Sequence, residues 1–293
     1  MSWIVKEGKY FQKINLFDSN LLGIQNQMCF YIIRGNKKVV MIDAPGPLEA
    51  ETFSEKFNTI GIKPDILILT HSHWDHAAGT AIFQEKFPDI EVMVGKTGVN
   101  SLKNNAIFNN NFKNLKDIPD LKSIKDLIPL DDGDTIDLGG TELSIIETPG
   151  HTDCSISIFE PKQKILFIGD ALGNIWKLDF IIPTIMPPQF SEKKFLASIE
   201  KIKNLEYSAL AFAHYGIITD SLAEQIPDKA KSSYYNWRNF LVETWNKKNN
   251  KEYCAKKFAK KLYSMGFDDT ESKISFDMFG GWMIEGLKSG NLI

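Results

Sequence analysis

The sequence predicts an α/β protein with several buried strands and a helical C-terminal region. Three observations carry that reading. Short runs rich in Ile, Leu and Phe recur along the first two thirds of the chain, and each is followed at once by a residue type that binds metals. The last seventy or so residues switch to helical spacing, with Tyr234, Trp237, Leu241 and Trp245 and then Phe258, Leu262 and Met265 on common faces. The chain has 293 residues, 43% of them hydrophobic, enough for one large α/β domain with an appendage or for two domains.

In chain order, the run 65–70 leads into His71 and the run 143–148 leads through Pro149 and Gly150 into His151. The run 164–169 leads into Asp170, and the run 209–213 into His214. Runs of this length and composition read as buried strands. Strands that end together deliver their following residues to one rim, where loops carry polar groups while the sheet stays apolar. Three parts are less regular. Residues 100–125 are polar with spaced apolar positions, read as a surface connection with a short helix and loop packed by Ile107, Phe108 and Phe112. Residues 171–190 carry Trp176, Phe180, Ile181, Ile182, Ile185 and Met186, but Pro183, Pro187 and Pro188 rule out a long helix. An apolar loop leaving a ligand type reads as a wall of a substrate site, with burial by a partner subunit as the rival. In the tail, Gly266 ends one helix, Asp268 and Asp269 open the next, and the lysines at 247, 248 and 251 read as a solvated face or turn. Tyr234, Tyr235 and Trp237 read as helix core before substrate contacts.

The chain contains five histidines, and all fall in one pattern: His71, His73, His76, His151 and His214. The first three lie in His71-Ser72-His73-Trp74-Asp75-His76, imidazoles packed around a carboxylate. Neutral imidazole is a favoured ligand of zinc and similar ions. In an extended segment His71 and His73 point the same way. Asp75 stands where a helix starts, so its bland role is a helix N-cap; among the histidines it reads better as a ligand or a base. With Asp170 the candidates number seven, more than one four-coordinate zinc needs and suited to two metals sharing a carboxylate and a water.

These residues resemble the metallo-beta-lactamase superfamily. The resemblance rests on the 71–76 motif, on Thr148-Pro149-Gly150-His151-Thr152, on Gly169-Asp170, on His214, and on Val39-Val40-Met41-Ile42-Asp43 before Ala44-Pro45-Gly46, spanning about residues 27–215. It implies a four-layer αββα sandwich, two mixed sheets face to face with helices outside, a site at one edge between the sheets, and a C-terminal helical appendage. The implied boundaries are a catalytic domain over 1–220 and a helical region over 221–293. It implies that His71, His73 and His151 hold a first metal, that Asp75, His76 and His214 hold a second, and that Asp170 bridges them. Asp43 would orient a ligand imidazole, and Asp75 would also position the nucleophile or pass a proton to the leaving group. The implied cofactors are two divalent ions, zinc before iron or manganese. The implied reaction is hydrolysis of a small ester, thioester or lactone by a shared hydroxide.

Departures narrow the branch. The true zinc beta-lactamases commonly place Cys where Asp170 stands, so this chain looks more like the glyoxalase II and lactonase-like hydrolases. Flavodiiron proteins usually replace the second histidine of the motif, and His73 is present. The usual Pro-Gly-His-Thr-Pro-Gly becomes Pro149-Gly150-His151-Thr152-Asp153-Cys154, which leaves the subfamily open. Cys154 reads as a small core residue opening a strand. Two other readings of the fold stay open: a mononuclear iron persulfide dioxygenase using His71, His151 and Asp170, which has no use for Asp75, His76 and His214, and a phosphodiesterase. A binding module with a decayed site conflicts with the complete ligand set.

Composition points to a soluble, cytoplasmic enzyme with a small-molecule substrate, free to form a homodimer. Net charge is -3, and only Arg34 and Arg238 are arginines, which argues against a nucleic-acid footprint. No apolar run approaches the roughly 20 residues that span a bilayer, and the N-terminus lacks a signal-peptide pattern. Cys29, Cys154 and Cys254 are odd in number and scattered, so no disulfide framework is implied.

Overall fold

The computed structural model describes residues 3–4, 8–104, 122–177, 180–214, 216–270, 272 and 274–293. The helix and loop expected around Ile107, Phe108 and Phe112 lie outside the described residues. Strands β1 (Trp3–Ile4), β2 (Gly8–Phe11), β3 (Ile14–Asp18), β4 (Cys29–Arg34), β5 (Val39–Ile42), β6 (Ile66–Leu69), β7 (Glu91–Gly95) and β8 (Leu127–Leu130) come first. They are followed by β9 (Thr135–Asp137), β10 (Glu142–Glu147), β11 (Ile156–Glu160), β12 (Ile165–Gly169), β13 (Asn174–Lys177), β14 (Phe180–Ile182), β15 (Ala209–Phe212) and β16 (Gly216–Thr219). Among the described residues, β2 to β8 form one seven-stranded sheet in chain order, and a second runs β1-β16-β15-β12-β11-β10-β9. Both are mixed: β5 to β8 are parallel, β12 and β15 are parallel, and the other pairs are antiparallel.

The chain divides into two compact units, the first of Met1–Glu147, Cys154–Asp170 and Glu206–Glu224, the second of Thr148–Asp153, Ala171–Leu205 and Gln225–Ile293. Both large sheets belong to the first. Their strands are apolar on both faces, and the two-residue period sorts them. Cys29, Tyr31 and Ile33 on β4, Val40 and Ile42 on β5, and Ile66 and Ile68 on β6 face one core, which they share with Leu143, Ile145, Ile158, Phe167, Ala209 and Ile217 of the other sheet. The alternate residues Phe30, Ile32, Met41, Leu67 and Leu69 face a second core. Helices cover that second face. Helix α1 (Pro47–Ile60) starts on a proline in its first turn and stops at left-handed Gly61, φ 69°. Its Ala50, Phe53 and Phe57, at helical spacing, join the core with Ile82 and Phe83 of a later helix. The helix expected from Asp75 onward forms as two pieces, α2 (Trp74–Ala77) and α3 (Thr80–Lys86), and α4 (Val99–Lys103) follows β7.

The second unit contains α5 (Glu192–Lys203), most of α6 (Asp220–Lys248), α7 (Lys251–Ser264) and α8 (Phe276–Ser289), with the two-stranded ribbon β13-β14. Here the structure corrects the wall reading of residues 171–190. Within them β13 and β14 pair antiparallel, and Trp176 and Phe180 pack on the helical tail. Trp176 stacks at 5.4 Å on Phe276 and meets Phe267 and Phe279 edge-on, while Phe180 lies 4.4 Å from Phe267 and faces Trp237. Ile181, Ile182 and Ile185 are buried, as are Tyr234, Trp237, Leu241, Phe258 and Leu262. Met265 differs from its expected core place: it caps the end of α7 and is exposed. Asp268 and Asp269 do not open α8. Asp269 instead accepts from Tyr263 Oη and from the Phe276 amide, and Ser275 caps the helix by accepting from the Met278 amide. Lys247 and Lys248 end α6 and Lys251 starts α7, with Asn250 capping α7 by accepting from the Tyr253 amide. Among the described residues no helix is long and apolar enough to cross a membrane.

Phe258 is fully buried between Trp237 and Phe279. Phe258→Ala should therefore cost roughly 3–5 kcal/mol of unfolding free energy, read by chemical denaturation. Unchanged stability would mean that this aromatic cluster does not hold the second unit together.

Candidate metal centre

Parallel pairing explains how distant residues reach one place in the first unit. β5 and β6 run side by side with Ile42 opposite Ile68, so Asp43 and the segment from Thr70 to His76 leave the same sheet edge. β12 and β15 are parallel with Gly169 opposite Phe212, so Asp170 and His214 leave together as well. The two sheets are tied at this edge: the Ile156 amide donates to Thr70 O at 2.9 Å, and the Cys29 amide donates to Ala213 O at 2.8 Å.

Six of the seven candidate residues, His71, His73, Asp75, His76, Asp170 and His214, gather in the first unit. The His71 ring centre lies 4.0 Å from that of His76 and 4.8 Å from that of His73, and His76 lies 5.3 Å from His214. His76 Nε2 is 3.7 Å from Asp75 Oδ2 and 3.6 Å from Asp170 Oδ1. His214 Nε2 is 3.3 Å from Asp75 Oδ2 and 3.7 Å from Asp170 Oδ1. Asp75 sits in the first turn of α2 and is not the residue before it; His73 takes that place. Cys154 is buried with its Sγ 3.4 Å from the hydroxyl of Ser72, just before β11.

The ring nitrogens are sorted by what the other side of each ring meets. His76 Nδ1 lies 2.9 Å from Asp43 Oδ2, and His214 Nδ1 lies 3.0 Å from the carbonyl of Gln27. Carbonyls and carboxylates only accept, so each Nδ1 donates and Nε2 is the nitrogen whose lone pair the ring offers when neutral. His151 belongs to the second unit, where it is buried and its Nδ1 donates to Thr184 O at 2.8 Å. Its loop is fastened there: Ser198 Oγ donates to Pro149 O at 2.6 Å and the Ser191 amide to Gly150 O at 2.9 Å. The Gln27 and Thr184 carbonyls are backbone atoms, and no residue type marks such a role in a sequence. Asp43, expected to orient an imidazole, does so for His76.

Burial opposes charge here, and neighbouring charge overrides it. Burial would raise the Asp75 carboxyl, but the His76 and His214 cations hold it well below the usual carboxylate range. Burial would lower His76, yet Asp75, Asp43 and Asp170 push it up to about 10. His214 is raised against burial by Asp170 and Asp75, whereas burial raises Asp170 itself. The carboxylates thus hold positive charge where these imidazoles converge.

The residues fit a bound divalent cation. Among the described residues His76 Nε2 is fully buried without a hydrogen-bond partner, a costly state for a polar atom that no ligand engages. Ligand atoms about 2.0–2.2 Å from one tetrahedral zinc lie about 3.3–3.6 Å from each other, close to the separations of 3.3 to 3.7 Å given above. Two groups inside the first unit, His71-His76-Asp170 and Asp75-His76-His214, keep one ligand atom per residue within 4.8 Å of the others.

A sequence model described as Metallo-beta-lactamase superfamily matches residues 27–214, the span from the carbonyl that orients His214 to His214 itself. The chain belongs to the metallo-beta-lactamase superfamily. Among its superfamily relatives, the hydroxyacylglutathione hydrolase of Francisella philomiragia subsp. philomiragia is 30% identical over 144 residues, 49% of this chain and 47% of its own length. The chain thus spans about half the length of that relative. The hydroxyacylglutathione hydrolase of Prochlorococcus marinus is 27% identical over 201 residues, 66% of this chain and 67% of its own. The crystal structure of ST1585, an archaeal metallo-beta-lactamase superfamily protein from Sulfolobus tokodaii, shares the fold at TM-score 0.60 and 23% identity, covering 78% of this chain and 86% of that one. The superfamily fold is the αββα sandwich expected from the sequence, here with a C-terminal helical region.

Gly150, the residue before His151, has φ 136°, and a Cβ there would lie 2.2 Å from the backbone nitrogen of Phe195. Gly150→Ala should cost more than about 1 kcal/mol, seen as a lower urea midpoint. A midpoint equal to that of the parent would show that the loop carrying His151 is not held against α5 in this way.

Proposed function

We propose that the protein is a metallo-hydrolase that uses two divalent cations, zinc first, on the carbonyl of a small ester, thioester or lactone. The carrying observation is the buried His76 Nε2, without a hydrogen-bond partner among the described residues, beside Asp75, Asp170 and His214. His71, His73 and His151 would hold one ion and Asp75, His76 and His214 the other, with Asp170 shared. Asp170 groups with His71 of the first set and His76 of the second, which supports a shared position. Bound cations would supply an acidified water and a Lewis acid for the carbonyl oxygen.

The chain's own residues do the rest. Asp43 and the Gln27 and Thr184 carbonyls keep Nδ1 protonated on His76, His214 and His151, so each ring offers Nε2. Asp75 keeps its charge at neutral pH and, partly open to solvent, can orient the attacking water and pass its proton to the leaving group. The names of the two relatives describe hydrolysis of an acyl-glutathione, which favours a thioester within this range. The gathering of Asp75, His76 and His214 favours two ions over a mononuclear iron site. Residues 1–220 are proposed as the catalytic domain and 221–293 as a helical region. Cys29, Cys154 and Cys254 are buried as thiols, which supports a reducing, cytoplasmic setting.

The test is a panel of thioesters, lactones and phosphodiesters with two variants. Asp170→Ala should abolish turnover and weaken retention of both ions. Asp75→Asn should keep one ion, weaken the other and cut kcat by about 100-fold or more, the usual scale of general acid–base help. Wild-type rates and metal content in both variants would refute the proposal.

A further inference from the structure

We propose that Thr70 is a positioning residue for this centre: its hydroxyl links the buried Asp43 carboxylate to the His71 ring, so that one carboxylate orients two imidazoles. The inference rests on the metal reading of the site. Thr70 ends the run that leads into the histidine motif, and its residue type alone marks it only as a strand residue.

The Thr70 amide donates to Asp43 Oδ1 at 2.7 Å, and its Oγ1 lies 2.9 Å from both Asp43 oxygens. An ionised carboxylate only accepts, so the hydroxyl proton points to Asp43. The lone pairs of that oxygen are then left for His71 Nδ1, 3.2 Å away. His71 Nδ1 therefore carries its proton toward Thr70, and Nε2 faces the cluster with its lone pair. Asp43 reaches His76 directly, at 2.9 Å, and His71 through one hydroxyl. Removing that acceptor removes its bias toward this tautomer, and the other tautomer offers no lone pair on Nε2.

A second observation shows that the fold reserves the hydroxyl's place. Gly169, the residue before Asp170, has φ 50°, and a Cβ there would lie 2.7 Å from Thr70 Oγ1. The end of β12 is thus kept bare where the end of β6 carries its hydroxyl. The Thr70 carbonyl is also engaged, by the Ile156 amide at 2.9 Å, so the residue is pinned by backbone as well as side chain. Asp43 itself sits at φ 63°, a left-handed position that a non-glycine residue holds only when its surroundings over-determine it.

Thr70→Val keeps the shape and removes the hydroxyl, and Thr70→Ser keeps the hydroxyl and removes the methyl. Zinc affinity is measured by competition with a chromophoric chelator, and stability of the zinc-free proteins by denaturation. Thr70→Val should bind zinc about 10–100-fold more weakly while folded, and Thr70→Ser should stay close to wild type. Wild-type affinity in folded Thr70→Val, or equal weakening in both variants, would overturn the inference while leaving the metal reading standing. A wild-type protein that takes up no zinc would overturn both. Should Thr70→Val fail to fold, nitrogen NMR of zinc-loaded wild-type protein decides: His71 must bind through Nε2 with a proton on Nδ1, and binding through Nδ1 overturns the inference.

Discussion

Three carboxylates, Asp43, Asp75 and Asp170, lie where the edges of the two sheets of the first unit meet, two of them almost fully buried, and the rest of the site follows from how that negative charge is met. Removing one ion from water costs several kcal/mol even after relaxation, so such a cluster persists only if paired or built around a cation. Asp43 is paired within the protein, by the Thr70 amide and hydroxyl and by His76 Nδ1. Asp75 and Asp170 instead face the Nε2 atoms of His76 and His214, rings that already donate through Nδ1. The arrangement is therefore unbalanced in one direction: it asks for positive charge between the carboxylates and the Nε2 atoms.

The apolar architecture sets the stage for that charge. Alternation on β4, β5 and β6 gives each strand two apolar faces, one toward the second sheet and one toward α1 and α3. The cores on both faces exclude water, which strengthens each electrostatic contact at their edge. Parallel neighbours then bring strand ends of like polarity together, Asp43 beside Thr70 and Asp170 beside His214. In the second unit a separate aromatic core holds the hairpin and the tail helices, and the loop carrying His151 is fastened to the start and body of α5.

Much of this was legible in the sequence because it is local. Apolar runs ending at His71, Asp170 and His214 mark strands and rim together, and a histidine-poor chain that spends all its imidazoles in one pattern marks the site. What was not legible depends on long-range packing. The hairpin at 171–190 looks like an open apolar wall until Phe267, Phe276 and Phe279, about a hundred residues later, are seen to cover it. Asp268 and Asp269 have the chemistry of helix caps, but Asp269 is drawn to Tyr263 and the Phe276 amide and Ser275 takes the capping role. Gln27 and Thr184 act through carbonyls, which every residue has, and Thr70 acts through a geometry set by a glycine ninety-nine positions away.

The centre proposed for this protein binds two cations with Asp170 between them. Crystals of freshly purified, metal-reconstituted protein, measured across the absorption edges of zinc, iron and manganese, test it most directly. Two anomalous peaks per chain are expected, one touching His71, His73 and His151, the other Asp75, His76 and His214, with Asp170 reaching both. A single peak after reconstitution, or two peaks with Asp170 touching neither, would contradict it.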